Sequence, residues 1–134
     1  MMRTLEQQRA SFAWKWIASV REGNKDAAKI AMHLQRLPAM VLTNGLGQTL
    51  AFLLQKSDNK ASPEYDVYDV LAKWIVDERK LYEGTRDQLM QRLITGDRFL
   101  YQQAQEEICA LLVWLKKLAA AYLEKPSLPK EGDS

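Results

Sequence analysis

The sequence contains only one cysteine and one histidine among its 134 residues. A single cysteine cannot form an internal disulfide, and a chain without disulfides is typical of a reducing compartment. A single histidine cannot supply a two-histidine metal site, so we expect neither a metal nor another cofactor. The N-terminal segment, MMRTLEQQRASF, also lacks the apolar core of a secretory signal peptide. These absences together predict a cytoplasmic protein.

Charge is absent from one long segment, which runs from Leu37 to Gln55. A membrane span needs about 20 predominantly apolar residues, but this segment has Pro38, Asn44 and Gly45 in its interior. An asparagine followed by a glycine favours a turn, and small residues allow another backbone to come close. We therefore interpret the segment as a buried element broken near Asn44 and Gly45, and we expect no membrane contact.

Strand signals are also missing, because no run of alternating apolar and polar residues flanks the Asn-Gly pair. Apolar residues instead recur every three or four positions, which is the spacing of one helix face. Asn24 is the expected cap of the second helix, and Pro38 is expected to end it. The predicted helices cover residues 4–22, 25–37, a short and a longer piece of 37–55, 65–83, 85–96 and 97–124.

This pattern predicts an all-α fold, a compact bundle of five to seven helices in a single domain. The domain is expected to cover residues 1–125, and residues 126–134 are expected to form a flexible C-terminal tail. The predicted core contains Leu46, Leu50, Phe52 and Leu53 together with the apolar stripe of residues 108–115.

Groups suited to catalysis are few. Cys109 lies in the apolar segment ICALLVWL, and such surroundings raise the pKa of a thiol. Glu106 and Glu107 are adjacent, and neighbouring residues on a helix do not face each other. Gly45 and Gly47 lack the further residues of a nucleotide-binding motif. We expect no enzymatic activity and no small-molecule substrate; the alternative in this class is a helical enzyme with an unusual carboxylate site.

Positive charge is concentrated near the N-terminus. Residues 1–36 hold seven basic and three acidic side chains, so their net charge of +4 exceeds the +2 of the whole chain. Lys25, Lys29, His33 and Arg36 occur at i, i+4, i+8 and i+11, which predicts one stripe opposite the apolar side of the second helix. Such a stripe is either a solvated face or a contact surface for a phosphate backbone, whose counterions are released on binding.

Two residues are unusual for a bundle that acts alone. Arg9 lies within the apolar stripe of the first helix, so it needs a partner carboxylate or an interface. Trp14 lies on the polar side of the same helix, where it could stack on a base, anchor a protein partner or pack under a loop. The last helix is apolar nearly all round, as a central or interface helix would be. Arg9 and Trp14 are therefore the predicted subunit-interface residues.

Two segments, RLPAMVLTNGLGQTLAFLLQK and YQQAQEEICALLVWLKKLAAAYL, resemble the small subunit of the type III-B CRISPR effector, the Cmr (RAMP module) complex. In that family a basic helix leads into Leu-Pro, an apolar stretch, Gly-Leu, a glutamine-containing turn and an Ala-Phe-Leu helix. The residues that match are Leu37, Pro38, Gly45, Leu46, Gln48, Ala51 and Phe52. Residues 114–119 resemble the family's closing helix, and Arg9-Ala10 resembles an Arg-Ala pair in its first helix.

The resemblance implies a non-catalytic subunit whose copies stack along the complex beside the guide RNA–target RNA duplex. Its partners would be the other Cmr subunits, copies of itself, and guide and target RNA. Cleavage of the target in that family belongs to the backbone subunits. The predicted RNA-binding residues are Lys25, Lys29, Arg36, Lys116 and Lys117. The alternative function is a helical protein–protein adaptor that docks an acidic partner without RNA contact.

Overall fold

Six α-helices make up most of the part of the chain that the computed structural model describes, residues 2–23 and 25–123. They are α1 (Leu5–Glu22), α2 (Ala27–Asn44), α3 (Leu46–Lys56), α4 (Pro63–Lys73), α5 (Leu89–Thr95) and α6 (Arg98–Tyr122). A π-helical turn (Trp74–Glu78) follows α4, and a short 3₁₀ helix (Arg86–Gln88) precedes α5. No strand occurs in the described ranges, so the predicted all-α fold is confirmed. The predicted tail, residues 126–134, lies outside them.

The starts of the first two helices are set by capping side chains. The Thr4 hydroxyl accepts from the backbone N–H of Gln7 (3.0 Å), and the Gln7 side chain accepts from the backbone N–H of Thr4 (2.9 Å). α1 therefore begins at Leu5, one residue later than predicted, with Thr4 as its cap. The Asp26 carboxylate accepts from the backbone N–H of Lys29 (3.1 Å), so α2 begins later than predicted, at Ala27. Lys25 therefore precedes α2, and the predicted cap Asn24 lies outside the described residues.

The end of α2 contradicts the prediction that Pro38 stops this helix, because Pro38 lies inside it. A proline within a helix removes one backbone hydrogen bond and costs about 3 kcal/mol. Leu34, Leu37 and Val41 are buried on the two sides of Pro38, and burial of each such side chain contributes about 1.5–3 kcal/mol. Burial of this face outweighs the lost hydrogen bond, so α2 continues to Asn44.

The break between α2 and α3 occurs at Gly45, as predicted. Its φ of +89° lies in the left-handed region, which favours glycine. The N-terminus of α3 is satisfied by α6, because Leu46 N–H donates to Gln105 Oε1 (2.9 Å) and Gly47 N–H donates to Tyr101 Oη (2.8 Å). A Cβ at Gly47 would lie 3.3 Å from that hydroxyl. Side chains, not the backbone we expected, make the close approach here.

The core surrounds α6, which packs against both α1 and α2. The predicted core residues that are fully buried are Leu46, Leu50, Leu53, Ile108, Leu111, Leu112 and Leu115. Phe52 is the exception, since it is only partly buried at the edge of the core, with the Lys56 ammonium 5.9 Å from its ring centroid. The core was otherwise predicted correctly, because helical periodicity identifies the buried side of each helix.

The helix predicted for residues 65–83 has a different shape and a different end. Its regular part ends at Lys73, and the next turn is wider, because the backbone N–H of Arg79 donates to the carbonyl of Trp74 (2.8 Å). Lys80 then takes a left-handed φ of +53°, which ends the helix. Arg79 is therefore held at the junction of a π-helical turn and a sharp reversal of the chain.

Candidate nucleic-acid interface

The basic residues predicted on α2 differ in their surroundings. Lys29 and Arg36 are exposed and two helical turns apart, so they lie on one side of α2. Neither forms an ion pair with any residue that the structure describes. Lys25, which precedes the helix, pairs with Asp66 of α4 at 3.0 Å. Its charge is partly compensated, and it is a weaker candidate for a phosphate contact than the other two.

His33 does not belong to this exposed stripe, which corrects the sequence interpretation. It is buried, and its Nε2 lies 2.9 Å from Oε2 of Glu64 in α4. Burial raises the pKa of Glu64, whereas hydrogen bonding to His33 and the charge of Lys29 are among the causes that lower it. The net pKa lies below the usual value. Glu64 is therefore ionised near neutrality, so His33 donates from Nε2. The pair joins α2 to α4.

Two further basic residues lie on α6 at the same level as Arg36. Gln35 Nε2 donates to the backbone carbonyl of Lys116 (3.4 Å), which aligns this part of α6 with α2. Lys116 and Lys117 are both exposed, and neither forms an ion pair within residues 2–23 and 25–123. We call the four exposed residues Lys29, Arg36, Lys116 and Lys117 the α2/α6 surface. The fold thus places the part of α2 that carries Arg36 beside the part of α6 that carries Lys116 and Lys117, while Lys29 lies two turns before Arg36 on α2.

Arg9 has the partner carboxylate that the sequence required. Its Nη2 donates to Oε2 of Glu107 in α6 (2.9 Å), and its Nη1 pairs with Glu6 (3.1 Å). Trp74 Nε1 donates to Oε1 of the same Glu107 (3.0 Å). Burial raises the pKa of Glu107, but the hydrogen bonds from Arg9 and Trp74 and the charges of Arg9 and Arg79 together outweigh burial, and the net pKa is lowered. This ion pair joins α1, α6 and the π-helical turn, so Arg9 does not need an interface to satisfy its charge.

Trp14 remains a candidate for an interface. Its side chain is 44% exposed, and its ring meets Tyr122 edge-on at a centroid distance of 5.0 Å. The Arg21 guanidinium lies 5.6 Å from the same Tyr122 ring. This contact fixes one edge of the indole against the end of α6 and leaves the rest of the ring accessible to another molecule.

A basic groove that the sequence interpretation missed lies between α1 and the π-helical turn. Its volume is about 490 Å³, within the range of small-ligand sites. Four cations and one acid line it: Arg3, Lys15, Lys73, Arg79 and Glu78. Phe12, Trp16 and Trp74 supply its aromatic walls. We call this feature the α1/π groove.

Only the α1 side of this groove could be recognised from the sequence. Lys15 and Trp16 are neighbours in the sequence, but Phe12 and Trp16 have the spacing of the apolar side of α1, which is typical of core residues. The other wall comes from residues more than fifty positions further along the chain, and it is shaped by the π-helical turn. The charge clustering therefore exists only in the folded chain.

Cys109 is a free cysteine that is partly buried in α6. Burial, and secondarily the charge of Glu106, raise the pKa of the Cys109 thiol above its ordinary value, which disfavours the nucleophilic thiolate. Within residues 2–23 and 25–123, no three side chains of His, Cys, Asp or Glu come together as metal ligands. In the same ranges, no helix has both the length and the apolar character that crossing a membrane requires.

Comparison with known proteins gives one family and a related crystal structure. The family described as CRISPR-associated protein (Cas_Cmr5) matches residues 5–122, which is most of the chain. A CRISPR-associated Cmr5 family protein from Thermus thermophilus is similar to this chain in three dimensions, with a TM-score of 0.73 and 22% sequence identity. The similarity covers 91% of this chain and 100% of that protein.

Proposed function

The chain belongs to the CRISPR-associated Cmr5 family, and we propose that it acts in the cytoplasm by holding target RNA as a non-catalytic small subunit of the type III-B Cmr effector complex. In this proposal, copies of the subunit stack along the guide–target RNA duplex. Membership of a Cmr complex follows from the family. The RNA contact, the stacking and the lack of catalysis are the parts that we propose.

The observation that supports RNA binding most directly is the α2/α6 surface. Its four cations are exposed and form no ion pair within the described residues, so each is available to a phosphate. Base pairing with the guide reads the sequence of the target, so the protein needs only contacts with the RNA backbone. Lysine and arginine supply such contacts by releasing counterions from the RNA.

A non-catalytic role is supported by the state of the possible catalytic groups. The one histidine is buried and engaged with Glu64. The raised pKa of Cys109 favours its neutral thiol. Glu107, the other buried carboxylate, is occupied by Arg9 and Trp74. These interactions hold the fold together and leave no free acid, base or nucleophile among them.

The RNA contact is tested by removing charge from one helix at a time. Lys29→Gln/Arg36→Gln and Lys116→Gln/Lys117→Gln each remove two positive charges, as does the control Lys56→Gln/Arg92→Gln outside this surface. Target RNA is titrated against the guide-loaded complex at several salt concentrations. We expect weaker binding that is uniform across targets and a salt slope reduced by about 0.7–0.9 per lost contact. A slope equal to that of the control would contradict the proposed surface.

The subunit contact is tested at Trp14, which we propose as the interface residue; Arg9 was predicted there as well, but its guanidinium is engaged with Glu107 and Glu6 within the chain. Trp14→Ala should lower incorporation into the complex several-fold while the free chain stays folded, because a partly exposed tryptophan is a typical interface anchor. Co-purification with tagged partner subunits measures incorporation, and circular dichroism checks the fold. Replacement of the exposed Met2, which lies outside the helices, is the control. Normal incorporation of the Trp14 variant would remove the support for this contact.

A helical adaptor that docks a protein partner without RNA contact is the second candidate function. It is favoured by exposed apolar side chains on the same two helices, since Leu42 of α2 is 78% exposed and Val113 of α6 is 49% exposed. Neither residue could contribute to phosphate binding. If the assembled complex shows no salt-dependent change for either α2/α6 variant, and Leu42→Ser lowers incorporation, the adaptor function is favoured.

A further inference from the structure

We propose that the α1/π groove binds an unpaired nucleotide of an RNA strand, with its base against Trp16 and its flanking phosphates near Lys15, Lys73 and Arg79. The proposal rests on the proposed function in one respect, namely that RNA is the ligand of this subunit. It assigns RNA to a second site, because the groove and the α2/α6 surface have no residue in common.

The charge of the groove favours a polyanion. Arg3, Lys15 and Lys73 are exposed, and none forms an ion pair with a described residue. Glu78 is the only acid on the wall of the groove. Three accessible cations around one acid leave a net positive charge at the mouth of the groove, where a phosphate backbone would pass.

The floor of the groove carries positive charge as well. Arg79 Nε is buried without a hydrogen-bond partner, and it lies 3.7 Å from Oε2 of Glu107, too far for a hydrogen bond. Glu107 already accepts from Arg9 and Trp74, so one carboxylate is placed between two guanidinium groups. The charge of Arg79 is therefore only partly compensated, and since 29% of its side chain is exposed, an anion in the groove can pair with the accessible part of the guanidinium.

The aromatic wall distinguishes a nucleotide from a simple anion. Trp74, which also lines the groove, uses its indole N–H within the chain as a donor to Glu107. The indole N–H of Trp16 donates to no residue in the described ranges, and its ring is only partly buried. A partly exposed indole beside a lysine is the arrangement by which proteins stack single-stranded bases while holding the backbone.

The concave shape selects an unpaired nucleotide over a duplex. A base within a duplex is stacked on both faces and cannot enter a groove between a helix and a turn, whereas an unpaired base can be turned out of its strand. An acidic peptide would match the cations but would give the face of Trp16 no ring to stack on. Single-stranded RNA is therefore the ligand that uses both the cations and the ring.

The test measures binding of a labelled 12-nucleotide oligouridine, and of a 12-base-pair RNA duplex, to the full chain at several salt concentrations. Lys15→Gln/Lys73→Gln removes two exposed charges, and Trp16→Leu removes the ring. The matched control is Lys56→Gln/Arg92→Gln. Circular dichroism verifies each fold, and because Lys15 and Lys73 are exposed, the charge variant remains informative if Trp16→Leu unfolds.

We expect the charge variant to shallow the salt slope for oligouridine by about 1.4, at about 0.7 per contact with a single strand. Trp16→Leu should weaken oligouridine binding about 5- to 150-fold, the equivalent of about 1–3 kcal/mol for one stacked base. Duplex binding should change no more than in the control.

Unchanged oligouridine binding in both variants overturns the inference, as does an equal loss for the duplex. Loss of binding to a polyglutamate peptide with unchanged RNA binding identifies a peptide site and also overturns it. The α2/α6 variants in the guide-loaded complex separate the two proposals. If they weaken target binding while the groove variants bind oligouridine normally, only this inference fails. If the groove variants alone lose RNA, the inference stands and the α2/α6 surface is not the RNA contact.

Discussion

Two buried carboxylates join the helices of this protein, and they differ in the partner that each one has. Glu107 of α6 accepts from the guanidinium of Arg9 and the indole of Trp74, and it lies near a second guanidinium, that of Arg79. Glu64 of α4 has the imidazole of His33. A guanidinium stays charged at any pH that a folded protein meets, while an imidazole can bind its partner in the neutral form.

The two carboxylates therefore stabilise the contacts between helices in different ways. We call the contacts of Glu107 the first joint and those of Glu64 the second joint. If Glu107 is lost, positive charge remains inside the structure and cannot be neutralised by releasing a proton. If Glu64 is lost, the imidazole of His33 loses its hydrogen-bond acceptor, and the cost is that of an unmet hydrogen bond. We therefore expect the interactions of Glu107 to contribute more to the stability of the bundle than those of Glu64.

The largest expected effect follows from Glu107→Ala. Breaking a buried ion pair from one side costs about 3 kcal/mol or more, because the other charge is left uncompensated. Arg9 is 17% exposed in its side chain and retains Glu6, so we expect a loss near the lower end of this range. Urea unfolding measures it, with Glu106→Ala as the control, since Glu106 is the exposed neighbour. Equal costs for the two variants would contradict the difference between the joints.

A smaller effect is expected for Glu64→Ala. The variant leaves a buried imidazole N–H without its acceptor, which costs about 1–2 kcal/mol. The double variant His33→Ala/Glu64→Ala should cost less than the sum of the two single variants, because the two residues form one interaction. Unfolding free energies of the three proteins measure this coupling. Additive costs would show that the pair contributes no mutual stabilisation.

The smallest expected effect is on the stability of the protein at acidic pH. Both carboxylates have a lowered pKa in the folded chain, so the unfolded chain binds more protons once the pH approaches the ordinary glutamate value of about 4.3. Their stabilisation is complete above that value and is lost as the pH falls through the folded pKa values. We expect the melting temperature to fall with pH in this acidic window, and to fall less steeply in Glu107→Ala than in Glu106→Ala. Parallel pH profiles would contradict this.

Much of the fold could be predicted because its signals are local. Thr4 and Gln7 form a capping box that marks the start of α1, and the helical spacing of residues 108–115 identifies the buried side of α6. Pro38 misled the prediction because the burial of Leu37 and its neighbours, which outweighs the proline, depends on the tertiary structure.

The candidate sites were less predictable, since they depend on where helices meet. His33 has the spacing of an exposed residue, and only the packing of α4 against α2 buries it against Glu64. Lys25 was expected on a helix face, but Asp26 starts the helix after it. One wall of the α1/π groove is formed by the wide π-helical turn. Apolar residues spaced three or four positions apart do not distinguish this turn from an ordinary α-helical turn.

The capping of α3 by α6 has a consequence for the order in which the chain folds. The two backbone N–H groups at the start of α3 are satisfied by side chains 54 and 59 residues later in the sequence. While the protein is being synthesised, α3 therefore emerges long before the groups that complete its first turn. Water must solvate that turn until α6 docks. Closing so long a loop costs conformational entropy, and this cost is offset only when the core is buried. We therefore expect the earlier helices to reach their final packing only after α6 has been synthesised and has docked against them.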